Sequence, residues 1–280
     1  MSLPISPRLK HWIASHGQPF LETFAWGMRV TGATRRAFAR APRDSFRILA
    51  YHQTPVIHAE AFRRQMEWLV SNRSVIALGR LVEMLEKGED IPHGAVAITF
   101  DDGFSNNHEV AVPILRKLSL PACFFIATDF IDLADQGEEA LRQWGERVYR
   151  FTRVAQPMSW DQVRGLARQG FGIGVHTRSH ANLGRISEGD IHDEIAHAFE
   201  KISSEIGPGP RLFAYPYGKS AMAPPAARAI AMRSAPLRAA FSTERGWNTS
   251  STSRDWLHRD SMEPAFSPRL LDAFLSGIFD

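Results

Sequence analysis

Residues 95–104 read Ala-Val-Ala-Ile-Thr-Phe-Asp-Asp-Gly-Phe. The first four form a short apolar run, as expected of a strand buried on both faces in a parallel sheet. The run ends on two adjacent carboxylates, Asp101 and Asp102, and then Gly103. A strand that delivers charge at its C-terminal end, followed by a turn, places it at the mouth of an α/β fold, where such folds keep their sites. Side chains alternate along a strand, so the two carboxylates cannot point the same way and can take different partners and different jobs. The plain alternative is a turn, since Asp-Asp-Gly also simply breaks a strand.

Outward from this stretch, the chain alternates strands and helices. Strands are expected over 46–52, ending in His52, and over 122–128, 171–175, 212–215, 239–242 and 256–259. Helical periodicity covers 61–70, where Phe62, Met66, Leu69 and Val70 share a face, and 78–86. Further helices are expected over 109–118, 186–206 and 268–277. Ser159-Trp-Asp-Gln162 has the form of a capping box opening a helix that Gly170 closes. Residues 132–156 are polar and charged, with Trp144, Tyr149 and Phe151, and read as a long excursion from the core. Repeated units of this spacing argue for a parallel sheet, open or closed into a barrel.

With 280 residues, 44% hydrophobic and 22% charged, the composition is globular, and the chain is long enough for one α/β barrel or two smaller domains. Net charge is only +3, and the single cysteine, Cys123, excludes an internal disulfide and a Cys-rich metal site. Residues 1–45 stand apart from residues 46–280. Between Met1 and Arg43 the one acid is Glu22, and basic residues are interleaved with Trp12, Phe20, Phe24, Trp26 and Phe38. Phe20, Phe24 and Met28 recur at helical spacing. Such a segment could lie on an anionic membrane surface; the alternative is a helix that packs its aromatic side on the main domain. No nucleic-acid-binding motif accompanies the charge. There is no apolar run of the kind that an export signal or a membrane span needs, so the expected location is the cytoplasm or the inner face of the membrane.

A second group of site candidates is His176-Thr-Arg-Ser-His180, directly after the strand over 171–175. Two histidines at this spacing can converge on one ion, and a carboxylate such as Asp102 would complete a set that leaves positions open for water and substrate. That set suits zinc or a similar divalent ion, and also non-haem iron. A third is Phe213-Ala-Tyr-Pro-Tyr-Gly218, by itself a strand followed by a turn.

Taken together and in this order, the three groups resemble the motifs of the polysaccharide deacetylases, carbohydrate esterase family four. Thr99–Gly103 is similar to the first motif, His176–His180 to the second and Tyr215–Gly218 to most of the third. The resemblance extends from about Phe46 to the C-terminus and includes Tyr51-His52 and Pro121-Ala-Cys-Phe-Phe-Ile126. It implies a distorted (β/α) barrel and the hydrolysis of an N- or O-acetyl group on an amino-sugar polymer, oligosaccharide or glycolipid. It further implies that Asp102, His176 and His180 hold a divalent metal, Zn2+ first, with Ni2+, Co2+ or Fe2+ as alternatives. Asp101 would be the general base, and the backbone N–H of Tyr217 would hold the oxyanion.

The sequence departs from the family pattern at two places. The arginine that begins the third motif, and orients the base, is replaced by Ala214. No late Leu-x-His supplies the general acid, and His52 is the expected acid instead; its alternative is a histidine that only hydrogen-bonds at the barrel rim. In a closed barrel the last strand lies beside the first, which brings Arg259 to the rim that holds Asp101. Arg259 is therefore expected to take over the orienting role; the alternative is pairing with Asp255 or Asp260. Trp160, Trp247 and Trp256 could present flat faces to sugar rings or belong to the core. Rival readings of the whole are an iron-dependent oxygenase, an amide hydrolase of the deformylase or cyclic-amide type, and a carbohydrate-binding relative that has lost catalysis.

Overall fold

A computed structural model describes residues 18–39, 41–150, 155–207 and 209–280. Its centre is a parallel sheet with strands β1 (Phe46–Tyr51), β2 (Ser74–Val75), β3 (Ala95–Phe100), β4 (Cys123–Ile126), β5 (Gly172–Val175), β6 (Leu212–Ala214), β7 (Ala239–Phe241) and β8 (Asp260–Ser261). The order across the sheet is β7-β6-β5-β4-β3-β1-β8, with β2 beside β3. The two edges approach each other through the last segment. Leu257 pairs with Phe241 of β7 as a single parallel bridge, and β8 pairs with β1 through Leu49 and Ala50. The strand expected over 256–259 is thus a bridge at Leu257 and a short strand after Arg259, and the pairing lapses between them. This thin wall closes the sheet into a distorted barrel.

Strand alternation sorts the core into two layers. Phe46, Ile48, Ala95, Ala97, Cys123, Phe125, Leu212, Ala214, Ala239, Phe241 and Leu257 form one buried cluster inside the barrel. Leu49, Tyr51, Val96, Ile98, Phe100, Phe124, Ile126, Ile173, Val175 and Phe213, of opposite parity, pack outward against the helices. The interior is filled by small residues on some strands and phenylalanines on others. At Gly174 a Cβ would come within 2.4 Å of the Phe125 ring, so glycine there makes room for that ring. The helix Leu78–Lys87 places Leu78, Leu81 and Val82 against the interior cluster. Helix Ala59–Asn72 lays Phe62, Met66 and Leu69 on the outer layer.

The capping box forms as expected. The Ser159 side chain accepts from the Gln162 N–H at 3.3 Å, and helix Trp160–Arg168 starts there. The helix expected over 109–118 instead begins as a π turn, Asn107–Ala111, before helix Val112–Lys117. Helix Pro225–Ser234, with proline in its first turn, was not among the expected elements. The excursion contains a 3₁₀ turn, Asp132–Asp135, and helix Gly137–Val148. Leu141, Trp144 and Val148 of that helix pack with Phe104, Ala127 and Phe130 into a third, small core.

Of the basic N-terminal segment, residues 1–17, including Arg8, Lys10 and Trp12, lie outside the described residues. Helices Gln18–Val30 and Ala33–Phe38 follow. The first packs on the main domain: Ala25 is buried, the Phe24 ring lies 5.8 Å from that of Phe279, and Glu22 accepts from the N–H and hydroxyl of Ser267. Among the described residues no helix is long and apolar enough to cross a membrane.

Candidate active site

The site lies where the strands end. Asp101 continues the inward parity of Ala95, Ala97 and Thr99, and its side chain meets Arg259 in the barrel interior. The guanidinium grips the carboxylate with two N–H bonds, Nη1 to Oδ1 at 2.7 Å and Nη2 to Oδ2 at 2.8 Å. Two further donors are fixed too, Nε on the Ser242 carbonyl at 2.8 Å and Nη1 on the Thr99 hydroxyl oxygen at 3.2 Å. Thr99 in turn donates to the Leu49 carbonyl at 2.8 Å. The alternatives for Arg259 are filled otherwise. Asp260 accepts from Nη2 and Nε of Arg47, at 2.6 and 2.7 Å, and Asp255 accepts from Ser253. Arg259 is fully buried and Asp101 is 1% exposed. Burial alone would raise the Asp101 carboxyl; the charge of Arg259, then that of His176, more than offsets it and holds the pKa below the usual carboxylate range.

Asp102 leaves the strand in the left-handed region, φ 73°, and Gly103 follows at φ 101°. Asp102 is fully buried, and neither carboxylate oxygen has a hydrogen-bond partner among the described residues. Its Oδ1 stands 3.3 Å from Nε2 of both His176 and His180. One donor atom from each of the three residues falls within 4.8 Å of the others. A buried carboxylate without donors, facing two imidazole nitrogens, is the environment of a cation. The donor set, two nitrogens and one oxygen, fits a divalent ion of the zinc type.

His176 continues the inward parity of Gly172 and Gly174. Its Nδ1 contacts the Ala214 carbonyl oxygen at 2.7 Å. A carbonyl only accepts, so the proton sits on Nδ1, and Nε2 is the nitrogen turned to Asp102. Burial would lower the His176 pKa, but the hydrogen bond to Asp102 and the charges of both carboxylates raise it overall. His180 lacks a partner at Nδ1 among the described residues, and burial lowers it. For Asp102 burial works upward, and the two imidazoles bring it well below the ordinary value. Thr177, His180 and Tyr217 share the left-handed conformation, at φ 62°, 58° and 63°. Such residues cost roughly 1–3 kcal/mol each and gather at functional sites.

Tyr217 stands 40% exposed at the mouth, its ring edge-on to His180 at 4.9 Å. His52 is exposed at the same rim, one residue past β1, and Asn107 donates to its carbonyl at 2.6 Å. When charged, it acts on Asp101, Asp102 and His180. The seven expected site residues therefore meet at one end of the barrel. The tryptophans do not join them: Trp256 lies under Arg228, Trp247 beside Arg47, and Trp160 donates to Asp132. Cys123 faces the interior, where burial pushes its thiol up to about 12, and it is inert.

Three contributors were not expected from the sequence. Ala214 lacks the orienting side chain, yet its carbonyl fixes His176. Thr99 belongs to the quoted stretch, but its hydroxyl reads as ordinary strand composition until Arg259 is placed. Tyr149, at the end of helix Gly137–Val148, sets its ring 5.8 Å from that of His180. Burial, and then the Asp102 charge, raise its phenol well above the usual value and keep it protonated.

Comparison with known proteins gives a consistent neighbourhood. Residues 88–234 match the polysaccharide deacetylase family. The poly-beta-1,6-N-acetyl-D-glucosamine N-deacetylase of Escherichia coli is 29% identical over 114 residues, 40% of this chain and 16% of that protein. The peptidoglycan-N-acetylglucosamine deacetylase of Bacillus cereus is 29% identical over 127 residues, 44% of this chain and 36% of that protein. The chain thus spans well under two thirds of the length of either. Among solved structures, the Streptococcus pyogenes deacetylase PplD in complex with acetate superposes with a TM-score of 0.68 at 18% identity, over 82% of this chain and 97% of that one. IcaB from Ammonifex degensii gives 0.66 at 20%, over 83% and 97%. At these identities the structural likeness speaks for the fold.

Proposed function

This chain belongs to the polysaccharide deacetylase family, and from that premise we propose that it removes an N-acetyl or O-acetyl group from an amino-sugar polysaccharide, oligosaccharide or glycolipid. One observation supports the reading above the rest. A buried carboxylate without a partner among the described residues, Asp102, faces two imidazoles, and the preceding residue, Asp101, is a second carboxylate held ionised by Arg259. One acid is thereby free to ligate and the other to accept a proton.

A divalent ion held by Asp102, His176 and His180, Zn2+ first, would supply a water of lowered pKa and a Lewis acid for the acyl oxygen. The protein's own groups do the rest. Asp101, oriented by Arg259, accepts the proton of the attacking water at a carboxylate oxygen. Each oxygen already receives one N–H and keeps a further lone pair for this. The Tyr217 backbone N–H donates to the oxyanion that forms at the acyl carbon, a contribution of roughly 2.7–4 kcal/mol for one such donor. His52 at the open rim delivers a proton to the nitrogen of the departing amine. The exposed Trp26 and Val30 of helix Gln18–Val30, with Arg29 beside them, are the face by which the protein could rest on an anionic membrane.

The test is acetate release from N-acetylated glucosamine oligomers by the purified protein. Turnover should stop when a chelator strips the ion and return when Zn2+ or Co2+ is restored. Protein loaded with metal that frees no acetate from any N- or O-acetylated saccharide would overturn the reading.

A further inference from the structure

Three buried polar groups lacking hydrogen-bond partners among the described residues stand next to one another: the indole Nε1 of Trp144, the hydroxyl of Tyr149 and the carboxylate of Asp102. Packing does not explain the middle one. The Tyr149 ring lies among Phe104, Trp144 and Val148, an apolar lining that would take phenylalanine equally well. A buried hydroxyl left without a partner costs about 1–3 kcal/mol. Yet this one points from the excursion toward the ligand cluster, with its ring 5.8 Å from His180 and Asp102 as the charge it feels most.

We propose that Tyr149 is a positioning residue of the metal centre, its phenol O–H donating to the Asp102 carboxylate so that a single oxygen is left to bind the ion. The inference rests on the divalent-metal reading given above. The oxygen that faces both histidine Nε2 atoms is Oδ1. The other oxygen, Oδ2, has no donor of its own and is the one available to the phenol. The Trp144 N–H can donate to the phenol oxygen in turn, so the three orphaned groups become a relay that satisfies each member. A carboxylate held this way cannot swing to bite the ion with both oxygens. Coordination positions stay open for water and for the acyl oxygen, as a catalytic site requires. The excursion helix, whose outer face is charged, thereby acquires a task at the site: it carries the outer support of the metal ligand.

The experiment uses full-length Tyr149→Phe, which removes one oxygen and keeps the ring. Zn2+ and Co2+ affinities of variant and wild type are measured by competition with a chromophoric chelator. The expected result is a loss of roughly 10–100-fold, the usual effect of removing a partner behind a metal ligand. The visible band of the Co2+ form should also weaken as Asp102 binds through both oxygens and the coordination number rises. Thermal unfolding of the metal-free variant should be unchanged or slightly improved, while Tyr149→Ala, which empties the ring position, should lower it. Metal affinity within twofold of wild type together with an identical cobalt spectrum would overturn the proposal. A wild type that binds neither ion would sink it along with the metal-dependent reading. A wild type that binds both ions tightly but frees no acetate would sink only the deacetylase reading.

Discussion

Arg259→Met keeps a long side chain in the barrel interior and removes its charge. In the wild type both oxygens of Asp101 receive guanidinium N–H bonds, at 2.7 and 2.8 Å, and neither residue is more than 1% exposed. Breaking a buried pair from one side costs about 3–5 kcal/mol, because the surviving charge has no water to turn to. Against a total stability of roughly 5–15 kcal/mol, this is a large loss. The cost depends on pH in a definite sense. In the wild type burial pushes Asp101 up, and Arg259 and the imidazoles bring it below its ordinary value. Its contribution is therefore present above the ordinary carboxylate pKa and is lost only as pH falls through the lowered one. Without Arg259 burial prevails, the pKa rises above that of the unfolded chain, and the carboxyl escapes its penalty by taking up a proton.

The deficit of the variant should thus be largest near neutrality and shrink as pH falls through the raised value. A deficit of ~3 kcal/mol near neutrality should shrink by up to about 1.36 kcal/mol for each pH unit below the raised value. Urea unfolding of the metal-free proteins at pH 7.5 and pH 5 reads the difference. Turnover should fall about 10²–10⁴-fold at neutral pH, the range for losing a general base, and the acid limb of kcat/KM should move to higher pH. In Asp101→Asn/Arg259→Met, where no charge is stranded, most of the lost stability should return while activity stays absent. A variant as stable as wild type at pH 7.5, or a deficit that ignores pH, would refute the reasoning.

His176→Ala removes one of three ligands and leaves the core untouched, so elemental analysis should find little metal in a protein whose circular dichroism is unchanged; full occupancy would displace the site. His52→Ala should slow amine release and flatten the alkaline limb of the rate profile, which an unaltered profile would contradict. Trp26 and Val30 are 53% and 65% exposed, so Trp26→Ser/Val30→Ser should fold normally and lose binding to anionic vesicles, binding that salt also weakens in the wild type. If the wild type does not co-sediment with such vesicles at low salt, the helix serves only to pack on the domain.

The strands were legible in the sequence because burial on both faces leaves little but apolar residues in them. β1 and β3 are buried along their whole length, and each was expected within one or two residues of its observed bounds. Boundaries blurred where tertiary contacts decide them. The segment 256–261 joins β7 to β1, and its pairing changes partner part-way along. It pairs with β7 at Leu257, pairs with β1 at Asp260, and leaves His258 and Arg259 between. Helix Pro225–Ser234 escaped notice for a different reason. Its buried face is Ala227, Ile230 and Ala231, too small an apolar stripe to stand out from its alanine-rich surroundings.

At the site, legibility followed whether a residue acts through its side chain and whether its neighbours in sequence share its surroundings. Asp101 and Asp102 could be given different partners from alternation alone, and the structure turns one into the barrel and the other toward the histidines. Arg259 could be placed by topology, since closing the barrel fixes which strand end lies opposite which. Ala214 could not be read, because any residue there offers the same carbonyl to His176. Tyr149 was hidden by its context. Glu138, Glu139, Arg142 and Glu146 make its helix look like a solvated excursion, and Arg142 does bond to Glu139 and Glu146 on the outer face. Only the fold shows that Leu141, Trp144 and Val148 form the inner face, packed on Phe104 directly after the Asp-Asp-Gly turn. The segment that looked furthest from the site is anchored to the Asp-Asp-Gly turn, and that anchorage sets the Tyr149 ring 5.8 Å from that of His180.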